Sequence, residues 1–102
     1  MSYILKRSNK KDKKWMVTSF GTIRNPRKKT VHFGARGYQD YTQHKDADRK
    51  RLYIIRHQKK ENWGKRGIGT AGFWSRWLLW NKPSLISSIR DTQRKFGIKI
   101  SR

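Results

Sequence analysis

The side chains that could carry out chemistry in this chain are few and far apart. The sequence contains no cysteine, which excludes a thiolate nucleophile, a thiolate metal site and a disulfide bond. His57 and Glu61 are four residues apart, so a helix would place both on one face, but two ligands do not hold a metal. His32 and His44 belong to other segments. A surface hydrogen bond between His57 and Glu61 is the simpler interpretation.

Acid–base, nucleophilic and metal-assisted catalysis each require a more complete set of groups. The chain has six acidic residues, and at least two of them stand where helices are predicted to begin. The sequence therefore predicts a protein that is not an enzyme, with no catalytic residue, no metal site, no cofactor and no small-molecule substrate.

A glycine-rich connector, residues 64–72, precedes a predicted helix and could hold a phosphate on its backbone amides. It lacks the Walker pattern, in which Gly-Lys-Ser/Thr enters the helix, because its lysine precedes most of the glycines. A hinge that lets the following helix dock is the favoured interpretation. Phosphate contacts from Lys65 and Arg66 fit within it.

Positive charge is the dominant property of the chain. It has 27 lysine and arginine residues against six acids, a formal net charge of +21. Self-repulsion of this size predicts a partner that supplies negative charge. Nucleic acid is the commonest such partner, and an anionic membrane surface or an acidic protein surface are the alternatives. No base-reading motif is present, so nucleic-acid binding is expected to be independent of sequence. The residues predicted to bind the polyanion are Lys10, Lys11, Lys13, Lys14, Arg27, Lys28, Lys29, Arg49, Lys50, Arg56, Lys60, Lys65 and Arg66.

Three tryptophans, Trp74, Trp77 and Trp80, lie within seven residues of one another. At helical spacing such a stripe is most often part of a hydrophobic core. Tryptophan is also enriched at interface hot spots, and aromatics among cations can stack on single-stranded bases. The core is therefore the favoured interpretation. Because three tryptophans exceed what a small core needs, a partner interface formed by the same three residues is the second interpretation, and base stacking is the third.

The elements that position these residues are predicted to form a single α+β domain, residues 1–102. Residues 1–34 are expected to be mainly β and residues 40–100 mainly helical. The runs 2–6 and 15–20 are rich in apolar, β-branched and aromatic residues, and the charged loop between them predicts a hairpin with a basic tip. A third strand is predicted at 30–34. This gives a small N-terminal antiparallel sheet.

About three helices are expected after the sheet. The first begins at the N-cap Asp46 and runs to about Lys60, with Leu52 and Ile55 on its apolar stripe and Tyr53 on a cationic outer face. The second covers 73–80, with Phe73, Trp77 and Trp80 on one face, and ends before Pro83. The third begins at Ser84 and ends at Gly97, after which 98–100 form an edge strand.

Neither a signal peptide nor a membrane span is recognisable. The N-terminal residues lack the apolar run of a signal peptide, and the run 73–80 is too short to span a bilayer. The aromatic content of 13% argues for a folded protein rather than a basic disordered tail. The chain is therefore expected to be soluble, not secreted and not transmembrane.

Two segments carry a resemblance to a known group of proteins. They are Val31–Asp46 (VHFGARGYQDYTQHKD) and Thr70–Pro83 (TAGFWSRWLLWNKP), joined by Arg49-Lys50, Tyr53, Arg56-His57 and Glu61-Asn62-Trp63. Across residues 28–100 the chain resembles small, basic proteins encoded by large nucleocytoplasmic DNA viruses, the giant viruses. The N-terminal hairpin lies outside this resemblance. The resemblance supplies no functional residues.

The resemblance implies a virion protein, placed on the interior side of the capsid or in the core, and in the host cell interior during infection. The leading expectation is a non-enzymatic structural protein of minor-capsid type, whose basic surface contacts capsid neighbours, the internal membrane or the genome. A non-specific, genome-condensing DNA-binding protein is the alternative. A ribosomal-type protein that binds structured RNA is a second alternative, which fits the composition but not the resemblance.

Overall fold

The computed structural model describes residues 2–20 and 28–102. Four strands form one sheet: β1 (Ser2–Arg7), β2 (Lys13–Ser19), β3 (Lys29–Ala35) and β4 (Lys99–Ser101), in the order β3-β2-β1-β4. The first three strands pair antiparallel, whereas β4 pairs parallel with β1, so that Tyr3 faces Ile100. The predicted hairpin, third strand and edge strand are therefore all confirmed.

The helices follow β3 along the chain. They are α1 (Tyr41–His44), α2 (Ala47–His57), α3 (Ala71–Trp74), which continues as a π-helical turn (Ser75–Leu79), and α4 (Leu85–Phe96). A short 3₁₀ turn (Lys65–Gly67) lies before α3. The α+β prediction is confirmed, with one short helix, α1, beyond the three expected.

The core lies between one face of the sheet and the helical layer. Side chains alternate between the two faces of a strand, and the buried Leu5 and Val17 face each other across the β1–β2 pair. Phe33 of β3 and Phe73 of α3 are also buried in this layer. Partly buried residues of α4, including Leu85 and Phe96, pack against the core as the spacing of that helix predicted.

The π-helical turn changes which residues of the tryptophan segment are buried. Trp74 is fully buried, its ring lies 5.1 Å from that of Tyr3, and its indole N–H donates to the Ile68 carbonyl at 2.8 Å. Leu78 and Leu79 are buried as well, whereas Trp77 and Trp80 are half-buried and pack against the core. The most deeply buried positions therefore differ from the predicted face of Phe73, Trp77 and Trp80, because a π turn inserts an extra residue into the helical period.

Gly34 permits the close approach of this turn to the sheet. Its φ of 80° lies in the left-handed region that favours glycine. A Cβ at this position would stand 2.8 Å from Cδ1 of Leu79. The glycine therefore allows β3 and the π-helical turn to pack without an intervening side chain.

The face that α2 buries differs from the predicted one, although Arg49 and Arg56 are exposed as predicted. Leu52 and Ile55 are 50% and 51% exposed, whereas Tyr53 is only 8% exposed. The Tyr53 ring stacks on Trp80 with centroids 4.3 Å apart, and on His57 at 4.4 Å. Aromatic stacking with the chain after α3 therefore draws Tyr53 inward, and the apolar stripe faces outward.

The predicted helix caps at Asp46, Ser84 and Gly97 are confirmed, whereas α2 ends at His57 rather than near Lys60. The Asp46 carboxylate accepts hydrogen bonds from the backbone N–H groups of Asp48 and Arg49 at the start of α2. The Ser84 hydroxyl accepts from Ser87 N–H at the start of α4. Gly97, with φ 63°, ends α4. In the described part of the chain, every helix is too short or too polar to cross a membrane.

Candidate polyanion-binding surface

Asp40 forms its contacts within the fold. It is an acidic residue that was not predicted to cap a helix. Its side chain is almost fully buried, accepts from Thr42 N–H at the start of α1, and lies 2.7 Å from Nζ of Lys14. Gln43 completes a capping box by accepting from the Asp40 N–H at 3.1 Å. The spacing of Asp40 and Gln43 is a helix-start pattern that could have predicted α1.

Two further acids have partners within the fold. Asp91 accepts from the Asn81 side-chain amide at 2.8 Å and from Arg94 at 3.0 Å. The hydrogen bond from Asn81 is the main reason that the pKa of Asp91 is lowered. Glu61 lies against Gly72, where a Cβ would stand 1.8 Å from the Glu61 Oε2 atom. His57 stacks on Tyr53 instead, so His57 and Glu61 have separate partners.

Most of the positive charge lacks such compensation. In residues 2–20 and 28–102, three ion pairs are present, Lys14–Asp40, Arg51–Asp48 and Arg94–Asp91. The Arg51–Asp48 pair is 3.8 Å apart between two exposed side chains, a geometry that contributes little. The acids therefore serve mainly as helix caps and internal partners, which leaves the surface strongly cationic.

The predicted polyanion-binding residues are mostly exposed. Lys13 is half-buried, and Arg27 lies outside the described residues. The exposed members are Lys10, Lys11, Lys28, Lys29, Arg49, Arg56, Lys60, Lys65 and Arg66.

Lys14 and Lys50 have structural partners instead. Besides pairing with Asp40, Lys14 donates to the Gln43 side chain at 2.7 Å. Lys50 donates to the Asn81 carbonyl at 2.6 Å and lies over the Tyr41 ring at 5.1 Å. Burial, followed by repulsion from Arg76 and Lys82, lowers the pKa of Lys50. These two lysines hold α1 and α2 in place and are removed from the predicted polyanion surface.

The fold brings the basic run of residues 28–29 close to the glycine-rich connector. Lys29 and Arg66 line one pocket of about 280 Å³ together with Gly69. The Lys29 Nζ lies so close to Gly69 that a Cβ there would stand 2.7 Å away. Cations that are far apart in sequence therefore share one concave surface.

A second cationic group lies along α2. Arg49 and Arg56 line a groove of about 480 Å³ with Tyr38, Gln39, Leu52 and Trp80. Arg49 donates to the Gln39 side chain at 3.2 Å. Tyr38 was not among the predicted site residues. Its position directly after Gly37 in a charged segment was the available signal.

The structure separates the three tryptophans. Trp74 is buried in the core, as the core interpretation of the stripe predicts, and has no exposed surface to offer a partner. Trp77 donates its indole N–H to the Trp63 carbonyl at 2.8 Å, and Arg76 lies over its ring at 4.4 Å. Burial lowers the pKa of Arg76. Trp77 and Trp80 retain partly exposed surface, and their interface role remains a prediction.

Comparison with known proteins gives one family. A family of unknown function, DUF5754, has a model that matches residues 3–57, which include β1–β3, α1 and α2. The match contains the N-terminal hairpin, which the resemblance to viral proteins leaves out. No curated protein and no solved structure matches the chain.

Proposed function

Because the chain belongs to DUF5754, a family of unknown function, we propose its function from its own surface: a non-enzymatic structural protein that binds nucleic acid through unpaired cations, independently of sequence. Its placement in the virion of a large DNA virus, against the packaged genome, is part of this proposal. That placement is supported by the resemblance of residues 31–46 and 70–83 to viral proteins.

One observation carries the nucleic-acid role. Asp40, Asp46 and Asp91 accept hydrogen bonds inside the fold, while the cations of the β1–β2 turn, the connector and α2 are exposed. A surface of this kind attracts a polyphosphate over long distances and binds it by releasing counterions.

Binding of the full chain to a random-sequence DNA duplex at several salt concentrations tests the role. The logarithm of the affinity should fall linearly with the logarithm of salt, by about 0.9 for each phosphate contacted. Two variants with the same net charge distinguish binding at a local surface from an effect of net charge alone. One replaces Lys28, Lys29, Lys65 and Arg66 by glutamine. The other replaces Lys6, Lys82, Arg90 and Lys99, which are also exposed.

The first variant should lose more affinity and more of the salt slope than the second. Equal losses would mean that net charge acts without a defined surface. A dissociation constant weaker than about 10⁻⁴ M at physiological salt, below ordinary non-specific binding, would contradict the proposal itself.

A minor-capsid role is the second candidate, supported by Ile55 and Ile86, which are half-exposed apolar side chains suited to a protein neighbour. Gentle disruption of virus particles, followed by mass spectrometry of the shell and nucleoid fractions, distinguishes the two. Enrichment with the nucleoid is expected. Enrichment with the shell would favour the capsid role, and absence from both would overturn the virion placement.

A further inference from the structure

The side chain of Tyr38 is highly exposed to solvent, and packing within the fold does not explain why. Its side chain is 75% exposed, more than any other large apolar or aromatic side chain in the described residues. The turn that carries it is held by backbone hydrogen bonds, from Arg36 N–H to the Asp12 carbonyl at 2.9 Å and from Tyr38 N–H to the Ala35 carbonyl at 3.4 Å. The backbone is thus fixed while the ring stands in solvent.

The residues around Tyr38 are of the types that bind a nucleotide. Its groove contains Arg49 and Arg56 from α2, spaced seven residues and therefore about 10 Å apart along the helix. Neither arginine lies within ion-pair distance of a carboxylate in the described residues. The exposed Leu52 and the half-buried Trp80 add apolar surface to the lining of this groove.

A second cavity, of about 490 Å³, adjoins this groove and shares Tyr38 and Gln39 with it. It contains Arg36, and Arg7, whose guanidinium lies 5.1 Å from the centre of the Trp15 ring. The Asp40 carboxylate in its lining is paired with Lys14. Tyr38 therefore borders two concave surfaces, each of which is lined by two arginines and at least one further aromatic ring.

Aromatic rings among arginines suit unpaired bases. A base can stack on an exposed aromatic ring regardless of its identity, whereas a base inside a duplex is already stacked on its neighbours. Arginine binds phosphate through two parallel N–H donors. We infer that the Tyr38 groove binds single-stranded nucleic acid, with an unpaired base stacked on Tyr38 and nearby phosphates bound by Arg49 and Arg56. This inference rests on the proposed function and adds a preference for strand state.

The test compares Tyr38→Ala and Tyr38→Phe in the full chain, using fluorescent oligo(dT) and a duplex with the same number of phosphates. Tyr38→Ala should weaken oligo(dT) binding roughly 5- to 150-fold, the loss expected for one stacked base. Tyr38→Phe should retain the affinity, because the ring is kept. Duplex binding should change less than about twofold, since phosphate contacts dominate it.

Ile86→Ala is the control. Ile86 is 55% exposed and does not line the Tyr38 groove, so its removal should leave oligo(dT) affinity within about twofold. Replacement of Arg49 and Arg56 by glutamine should lower the salt slope on single strands by about 0.7 per contact. Tyr38→Ala should leave that slope unchanged, because stacking releases no counterions.

Unchanged oligo(dT) affinity in Tyr38→Ala would overturn the inference, and so would equal losses on single strand and duplex. In either case, salt-dependent duplex binding would still support the proposed function. If the wild-type chain bound neither the duplex nor oligo(dT), that result would contradict both the proposed function and this inference.

Discussion

Tyr53 is the residue whose environment differs most from expectation. Its ring lies between Trp80 and His57, in stacks 4.3 and 4.4 Å between centroids. Burial, together with the nearby Glu61 carboxylate, raises the pKa of Tyr53 to about 12. The phenol is therefore held in its neutral form by the surrounding aromatic stack.

A loss of stability in alkali follows from that shift. Below the ordinary tyrosine pKa of 10.0, both the folded and unfolded states keep the proton, so stability does not depend on this group. Between 10 and about 12 the unfolded state ionises and the folded state does not, so the free energy of unfolding falls. The loss should be about 1.3 kcal/mol between pH 9 and pH 11, because its full value is reached only above the pKa of the folded state. Urea unfolding at about pH 9 and about pH 11 measures it.

Tyr53→Phe keeps the ring and removes the ionisable hydroxyl. The other titrating groups are common to both proteins, so the wild type should lose more stability than the variant over this pH range. An equal loss in the two proteins would show that Tyr53 does not cause the alkaline sensitivity.

Single residues that act through local bonds could be predicted from sequence. Asp46, Ser84 and Gly97 mark helix ends because a cap depends only on residues within one turn. Tyr38 and Tyr53 could not be separated in the same way. Both are aromatic residues among cations, and the difference between exposed and buried is decided by contacts with the distant Trp80 segment.

Secondary-structure elements were predictable where a regular period sets burial. The strands alternate between core and solvent, and α4 buries a stripe at helical spacing, so their positions could be read directly. The buried positions of the segment after Thr70 could not be predicted in this way. Its π-helical turn shifts the buried positions from Trp77 and Trp80 to Leu78 and Leu79, and such a turn has no distinct sequence pattern.

The orientation of α2 gives a prediction at this scale. Leu52→Gln and Ile55→Gln should each change the free energy of unfolding by less than about 0.5 kcal/mol, because both side chains are half in solvent and glutamine is a good helix former. Tyr53→Ala should cost about 3–5 kcal/mol, as for other buried aromatics. Urea denaturation of the three variants measures the difference. A large loss from Leu52→Gln or Ile55→Gln would mean that the helix buries the opposite face.

The charge of the whole molecule affects its stability as well as its binding. A net charge of +21 on a chain with a radius of gyration of 13.4 Å places many cations within a Debye length of one another, about 10 Å at 0.1 M salt. Mutual repulsion therefore opposes the folded state. Added salt screens this repulsion and also screens attraction to phosphate.

Sodium chloride should consequently raise the melting temperature of the free protein while it weakens binding to DNA. Thermal unfolding followed by circular dichroism from about 0.01 M to about 0.5 M salt measures the first effect. The variant with glutamine at positions 6, 82, 90 and 99 should show a smaller rise, since it starts with less repulsion. A melting temperature that falls with salt would show that attractive ion pairs dominate instead.

The parallel pairing of β1 with β4 has a consequence for synthesis. Proteins leave the ribosome N-terminus first, so β1–β3 can pair long before Ile100 is available beside Tyr3. Until α3, α4 and β4 emerge, the inner face of the nascent sheet, with Leu5 and Val17, has no cover. The first 35 residues already carry ten of the 27 lysines and arginines. The first polyanion that the unfinished protein meets is therefore the RNA of the ribosome that makes it.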